Sequence, residues 1–299
     1  MKLIYIIIAH GDPSLLVRLI DKLDSPESRF LIHVDKKTSK DVFIQYKHAF
    51  TTKANVIFLP RIRVYWGDFS IVQVEFNAME FVRKNDFDYD YAILLSGSHY
   101  PIKRKETIDQ FFQNNKGSIF LEHRSLPTDF SHPWALEEGG MGRVLYWHFT
   151  RYFWLEKMIF WHFRLFLEKN GLGMLLKRKY EFDLKLYGHS QWWCLDKAAI
   201  EYVSDFVNKN PKFINFFKFT HIPDEMLIQT ILMNSGHKDR IINDNLTFVR
   251  WPTQVGIKSP CVLSRDDLKN LMQSHKLFAR KFDYHGGQAL LDGIDRVCQ

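Results

Sequence analysis

Cysteine is scarce. The 299 residues hold only Cys194, Cys261 and Cys298, widely spaced and without a CxxC pair. Three scattered thiols exclude a disulfide framework and point to a reducing compartment. Long apolar runs are missing too. The stretch Leu3–Ala9 (LIYIIIA) falls short of the ~20 residues a membrane span needs, and no cleavage-site pattern follows it. It reads as a buried strand, and the protein is expected in the cytoplasm. His10, His33, His99, His123 and His132 show neither HxH nor HExxH spacing, so a zinc site is unsupported. There is no GxSxG elbow and no Walker A loop. Homeodomain, zinc-finger and RNP-type patterns are absent, so no nucleic-acid partner is expected. No internal repeat or low-complexity linker divides the chain, and a single domain over 1–299 is expected.

What is present is an ordinary globular composition, 46% hydrophobic and 25% charged, with an unusual aromatic share of 15%. Most of those rings are expected in a core; the rest suit sugar contacts or a greasy surface. The formal charge of +7 favours an anionic partner, either a phosphorylated substrate or lipid headgroups.

Strands and helices alternate in the first half. Strands are expected at Leu3–Ala9, Phe30–Val34, Asn55–Leu59 and Tyr91–Leu95, and helices over Pro13–Leu23 and Phe69–Arg83. That alternation predicts an α/β fold, a Rossmann-like parallel sheet with helices on both faces. Ligands of such sheets bind outside the carboxyl ends of the strands, which here carry His10, Asp35 and the turn Ser96–His99. Residues 144–180 differ: Trp147, Phe149, Trp154 and Trp161 are interleaved with Arg151, Lys157 and Arg164. This predicts a helical aromatic and basic insertion, either packed on the domain or making a peripheral contact with the inner face of the membrane. Afterwards a strand is expected at Gln191–Leu195, a helix over Asp196–Asn208, a helix from Pro223 to about Asn234, and another over Arg265–His275.

Three groups are candidates for chemistry. Glu225, in Pro223-Asp224-Glu225 at a helix start, sits where backbone N–H groups favour a carboxylate; it is either a general base or a helix cap. Lys258, Arg280 and Lys281 form a basic set in which apolar neighbours flank the Arg280–Lys281 pair, so an enclosed head group would call for an anion such as a diphosphate; the alternative is a solvated basic turn over Phe278–Phe282. Asp86, Asp88 and Asp90 form overlapping DxD patterns, but they precede the Tyr91–Leu95 strand instead of following it, which favours a solvated acidic loop over a metal site.

Seven motifs in order then carry a resemblance: Ile8-Ala9-His10, His33-Val34-Asp35-Lys36-Lys37, Trp66-Gly67-Asp68-Phe69-Ser70, Leu94–Ile102, Ser190-Gln191-Trp192-Trp193, Pro223-Asp224-Glu225 and Phe278–Asp283. From about residue 3 to 283 the chain resembles the core-2/I-branching β-1,6-N-acetylglucosaminyltransferases and the related peptide O-xylosyltransferases. The resemblance implies a GT-A-like fold and inverting transfer from a UDP-sugar, N-acetylglucosamine first, to a glycan or glycolipid acceptor. No cofactor and no metal are implied. It makes Glu225 the catalytic base and gives the diphosphate to Lys258, Lys281 and the neighbouring Arg280. Asp35, His10 and Ser190 fall on the donor side, and Glu122 and Trp251 on the acceptor side. His99 stands where the family usually has Asp, and Lys258 where it has Arg, which loses bidentate geometry. Two alternatives remain: xylosyl transfer, because Phe-Ala-Arg-Lys-Phe is close to the xylosyltransferase motif, and a non-catalytic carbohydrate- or lipid-binding protein of the same fold.

Overall fold

A computed structural model gives the structure of the chain and describes residues 1–128, 138–150, 166, 169–170, 177–252 and 260–298. The apolar run Leu3–Ala9 is strand β1, and α1 follows over Ser14–Leu23. Leu15, Leu16, Leu19, Ile20 and Leu23 are all buried, as their helical spacing requires. Next come β2 (Ser28–Val34), α2 (Lys40–Ala49), β3 (Val56–Phe58), α3 (Ser70–Lys84), β4 (Tyr91–Ser96), β5 (Tyr100–Pro101), α4 (Lys105–Asn114) and β6 (Ile119–Ser125). The later strands are β7 (Tyr187–Asp196), β8 (Ile241–Ile242), β9 (Thr247–Val249) and β10 (Phe278–Arg280).

A seven-stranded sheet runs β3-β2-β1-β4-β7-β6-β8, and a small sheet runs β5-β10-β9. The α/β expectation holds, with one correction: the sheet is mixed. β1 pairs parallel with β2 and β4, whereas β7 runs antiparallel to both β4 and β6. The apolar run Gln191–Leu195 marks a strand covered on both faces but carries no information about direction.

Period-two alternation splits the core. Leu3, Tyr5, Ile7 and Ala9 face one layer with α1, Phe112 of α4 and the last helix, Tyr284–Val297. Ile4 and Ile6 face the other, with α3 and the helices Lys197–Lys209 and Leu227–Met233. Helices therefore cover both faces. Of the aromatic–basic stretch 144–180, residues 151–165, 167–168 and 171–176 lie outside the described residues. Its flanks are tied down, by a Tyr146–Lys177 bridge and by Arg178, which donates to Phe219 O at 2.8 Å. Among the described residues no helix is long and apolar enough to cross a membrane.

Candidate active site

The topology brings the chemistry-bearing residues to one edge. Asp35 N donates to Ala9 O and Gly97 N to Ile8 O, each at 2.9 Å, so the loops after β1, β2 and β4 leave the sheet side by side. The loops pack closely there: a Cβ on Gly97 would come within 3.3 Å of the Ala9 Cβ. Because β7 is antiparallel, its amino-terminal half, with Ser190 and Trp192, reaches the same edge. So does the carboxyl end of β6, with Glu122.

Glu225 enters from a different element than expected. Pro223–Glu225 is one 3-10 turn, and the α-helix begins only at Leu227. Ile222 before the turn is left-handed (φ 53°) and Met226 after it is non-helical, so the chain kinks twice within five residues. Neither segment has a side-chain cap from its N-cap residue. The Glu225 carboxylate instead meets Arg143 Nη1 at 3.0 Å, and the Arg143 side chain is only 7% exposed. Two buried carboxyls lie behind it. Burial, and then the charge of Glu225, push Asp224 up to about 8, and its Oδ1 finds no hydrogen-bond partner among the described residues. Burial, and then the charge of Asp224, likewise push Glu75 up to about 8, although Trp193 Nε1 donates to it at 3.1 Å and Gln191 Nε2 at 3.3 Å. Sequence reasoning missed Arg143, a lone cation in an apolar stretch, and Glu75, an acid on the buried face of α3.

Arg280 ends β10, which pairs antiparallel with β5 and so lies against the turn that follows β4. The residues read as a basic turn are thus partly strand, and Phe282 N donates to Ser98 O at 2.9 Å to hold the segment in place. The Arg280 guanidinium sits 4.7 Å above the Trp192 ring. Burial brings it down to about 10, opposed by the charge of Glu225, so the two groups feel one another electrostatically. Its Nε has no partner and no carboxylate pairs with it among the described residues. His99 also packs on Trp192, edge to face, with ring centroids 4.3 Å apart. His99 Nδ1 accepts the Ser96 N–H at 2.9 Å, and burial with the nearby Arg280 charge holds the ring well below its usual range. His99 is therefore a neutral prop under the Trp192–Arg280 stack. Lys281 is exposed, with its carbonyl accepting from Leu263 N at 2.9 Å. Lys258 lies outside the described residues.

The remaining candidates divide. His10 is exposed at the end of β1. Asp35 accepts from Lys37 N of its own loop at 2.9 Å and from Val64 N, beyond β3, at 3.3 Å. Ser190 and Glu122, assigned to opposite substrates, are joined by one amide: Asn245 Nδ2 donates to Ser190 Oγ at 2.8 Å and to Glu122 Oε2 at 3.0 Å. Trp251 is 63% exposed just beyond β9. Asp88 and Asp90 lie at the amino end of β4, where Asp88 pairs with Lys2 and Asp90 with Lys116, far along the sheet from this edge.

An enclosed cation and a paired carboxylate at the strand ends of a Rossmann-like sheet suit an enzyme handling a nucleotide-linked substrate. Comparison with known proteins gives the class. The chain belongs to the core-2/I-branching enzyme family of glycosyltransferases, whose profile matches residues 3–272. Xylosyltransferase 1 of Pan troglodytes and that of Homo sapiens are each 25% identical to it over 318 residues, covering 99% of this chain. The chain spans about 30% of the length of these relatives. Among solved structures, mouse xyloside xylosyltransferase 1 in its apo form aligns over 93% of this chain and 97% of that one, at 12% identity and a TM-score of 0.38.

Proposed function

We propose that the protein transfers a sugar from a UDP-sugar to a hydroxyl of a glycan acceptor, with inversion at the anomeric carbon and without a metal ion. The observation that carries this reading is Arg280, a largely enclosed guanidinium without a carboxylate partner among the described residues, within electrostatic reach of Glu225. A largely enclosed cation of this kind calls for an anion, and a diphosphate supplies one.

Glu225 takes the proton of the acceptor hydroxyl as that oxygen attacks the anomeric carbon. The bond to UDP breaks on the opposite face. Negative charge then grows on the leaving diphosphate beside Arg280, with Lys281 and Lys258 completing the clamp. Arg143 orients the base, and the His99–Trp192 shelf fixes the height of Arg280.

N-acetylglucosamine is the donor sugar of the first reading. Xylose is the second, favoured by the relatives' names and by the Phe278–Phe282 motif. The reading also places the protein in the cytoplasm, with residues 144–180 against the inner face of the membrane. UDP release from UDP-N-acetylglucosamine and UDP-xylose, with and without glycan acceptors, tests it. Turnover with one donor that rises on adding acceptor is expected; binding of carbohydrate without UDP release from either donor would leave the non-catalytic alternative standing.

A further inference from the structure

A cleft of ≈ 1010 Å³ opens beside the Glu225 edge, against the carboxyl ends of β2 and β3. Four cations line it: Lys36, Arg61, Arg63 and Lys218. None forms an ion pair with a carboxylate among the described residues. Arg61 spends its donors on backbone, with Nε to Val34 O at 3.0 Å and Nη2 to Asp35 O at 2.8 Å, so it stiffens the wall and leaves its charge unneutralised. Asp68 is the one lining carboxylate among the described residues, and its Oδ1 accepts the Ser70 N–H at 2.9 Å. Tyr65, Phe149 and Phe219 supply an aromatic side to the same space.

This cleft is separate from the Arg280 shelf. Lys36 follows β2 and Arg61 and Arg63 follow β3, whereas Arg280 lies over the turn after β4, and β2 and β4 flank β1. Two strand spacings separate β2 from β4, about 10 Å. The cleft is nevertheless coupled to Glu225 through its floor. Lys218 and Phe219 lead directly into the Ile222 kink, Ile222 N donates to Gly67 O at 2.9 Å, and the lining His148 ring lies 5.1 Å from the His221 ring.

We propose that this cleft binds a phosphate or diphosphate group carried by the acceptor, distinct from the donor diphosphate, so that the enzyme selects anionic acceptors. The inference rests on the UDP-sugar reading above and names its acceptor class. Clustered cations without counter-ions are stabilised by an anion, and phosphate oxygens accept from Lys and Arg together. The aromatic side then receives the adjoining sugar or lipid unit.

The test is calorimetric titration of inorganic pyrophosphate into protein already saturated with UDP. One further molecule is expected to bind. Arg63→Ala with Lys218→Ala, both exposed positions, should weaken it at least ~10-fold, as loss of two charge-assisted contacts implies, while UDP affinity stays within about twofold. Competition by a soluble sugar 1-phosphate, or cosedimentation with phosphatidylglycerol vesicles that pyrophosphate reverses, tells a soluble source from a lipid-borne one; either supports the cleft. No pyrophosphate binding beside UDP, binding indifferent to the double variant, or an equal fall in UDP affinity would overturn the proposal. Cosedimentation that pyrophosphate leaves unchanged would overturn it in favour of a flat membrane contact. If UDP itself fails to bind, the donor reading fails alone, because pyrophosphate binding that depends on Arg63 and Lys218 still reports on the cleft.

Discussion

Arg143 and Glu225 meet at 3.0 Å across 82 residues of chain, with Arg143 almost enclosed and Glu225 a quarter exposed. The carboxylate is thus aimed by a neighbour that is itself immobilised, while part of it stays exposed. Glu225→Gln keeps the shape and removes the basicity. Turnover should fall by about 10²–10⁴-fold, the usual worth of a positioned base, with UDP affinity nearly unchanged. A variant keeping more than about a tenth of the wild-type rate would remove Glu225 from that role.

Arg143→Met separates aim from chemistry. It leaves the base in place without its Arg143 contact. The 3–5 kcal/mol lost when a fully buried pair is broken is reduced here by the exposure of Glu225, to about 2 kcal/mol in a urea titration. The rate should fall as well, and the pH-rate profile should move with it. A stability loss with an unaltered profile would make Arg143 only structural.

Arg280→Ala, Lys281→Ala and Lys258→Ala probe the clamp. Each should weaken UDP binding and lower turnover together, because a cation on the diphosphate acts in the ground state and more strongly as charge develops. Arg280 should cost most, in the range of ~2.7–4 kcal/mol of barrier known for removal of one charge-stabilising donor, since it is the enclosed one. Lys281, exposed, should cost less. UDP titration beside a turnover assay checks the order; unchanged affinity and rate in all three would leave leaving-group stabilisation without an agent.

The parallel half of the sheet was legible because β1 and β4 are continuous apolar runs and α1 and α3 repeat at helical spacing. The reversal of β7 was not, since burial on two faces looks the same in either direction. The Glu225 turn was read as a helix start because Pro-Asp-Glu favours one, and the left-handed Ile222 that breaks it carries no local signal. The apolar neighbours of the Arg280–Lys281 pair point to an enclosed head group, but not to which of the two carries it. The platform of Arg280 was not legible, because Trp192 and His99 lie 93 positions apart and meet only through the pairing of β4, β5, β7 and β10. Ser190 and Glu122 were named separately, and nothing in the spacing shows that Asn245 ties them together.

Transfer should continue in excess EDTA. Asp88 and Asp90 are tied to Lys2 and Lys116 at the amino end of β4, and Asp86 lies 3.9 Å from Lys197, away from the strand ends that collect Arg280 and Glu225. Assay in EDTA and with added manganese checks this; complete loss in EDTA restored by manganese would require a metal at the strand-end site.

Stability should decline from about pH 7.25 to pH 8. Glu75 and Asp224 are pushed up to about 8 in the folded protein by burial, against about 4 for carboxyls in an unfolded chain. Between those values the folded state holds protons that the unfolded state has lost, so the stabilisation is complete below about 4 and drains away as pH rises through 8. The slope is at most about 1.4 kcal/mol per pH unit for each group. Two histidines act in the opposite sense at lower pH. Burial takes His33 down to about 4 and His99 well below its usual range, so the unfolded chain binds protons there first, and stability falls as pH drops below about 6.5. Burial also lowers His123 and His237, so the two effects oppose one another until the unfolded imidazoles have lost most of their protons near about pH 7.25; above that the carboxyls dominate. Urea midpoints at pH 7.25, 7.6 and 8 should therefore fall steadily. Glu75→Gln, which keeps both indole and amide neighbours within reach, should flatten the decline. The assignment fails if the midpoint is level across this range in the wild type, or if it falls equally in the variant.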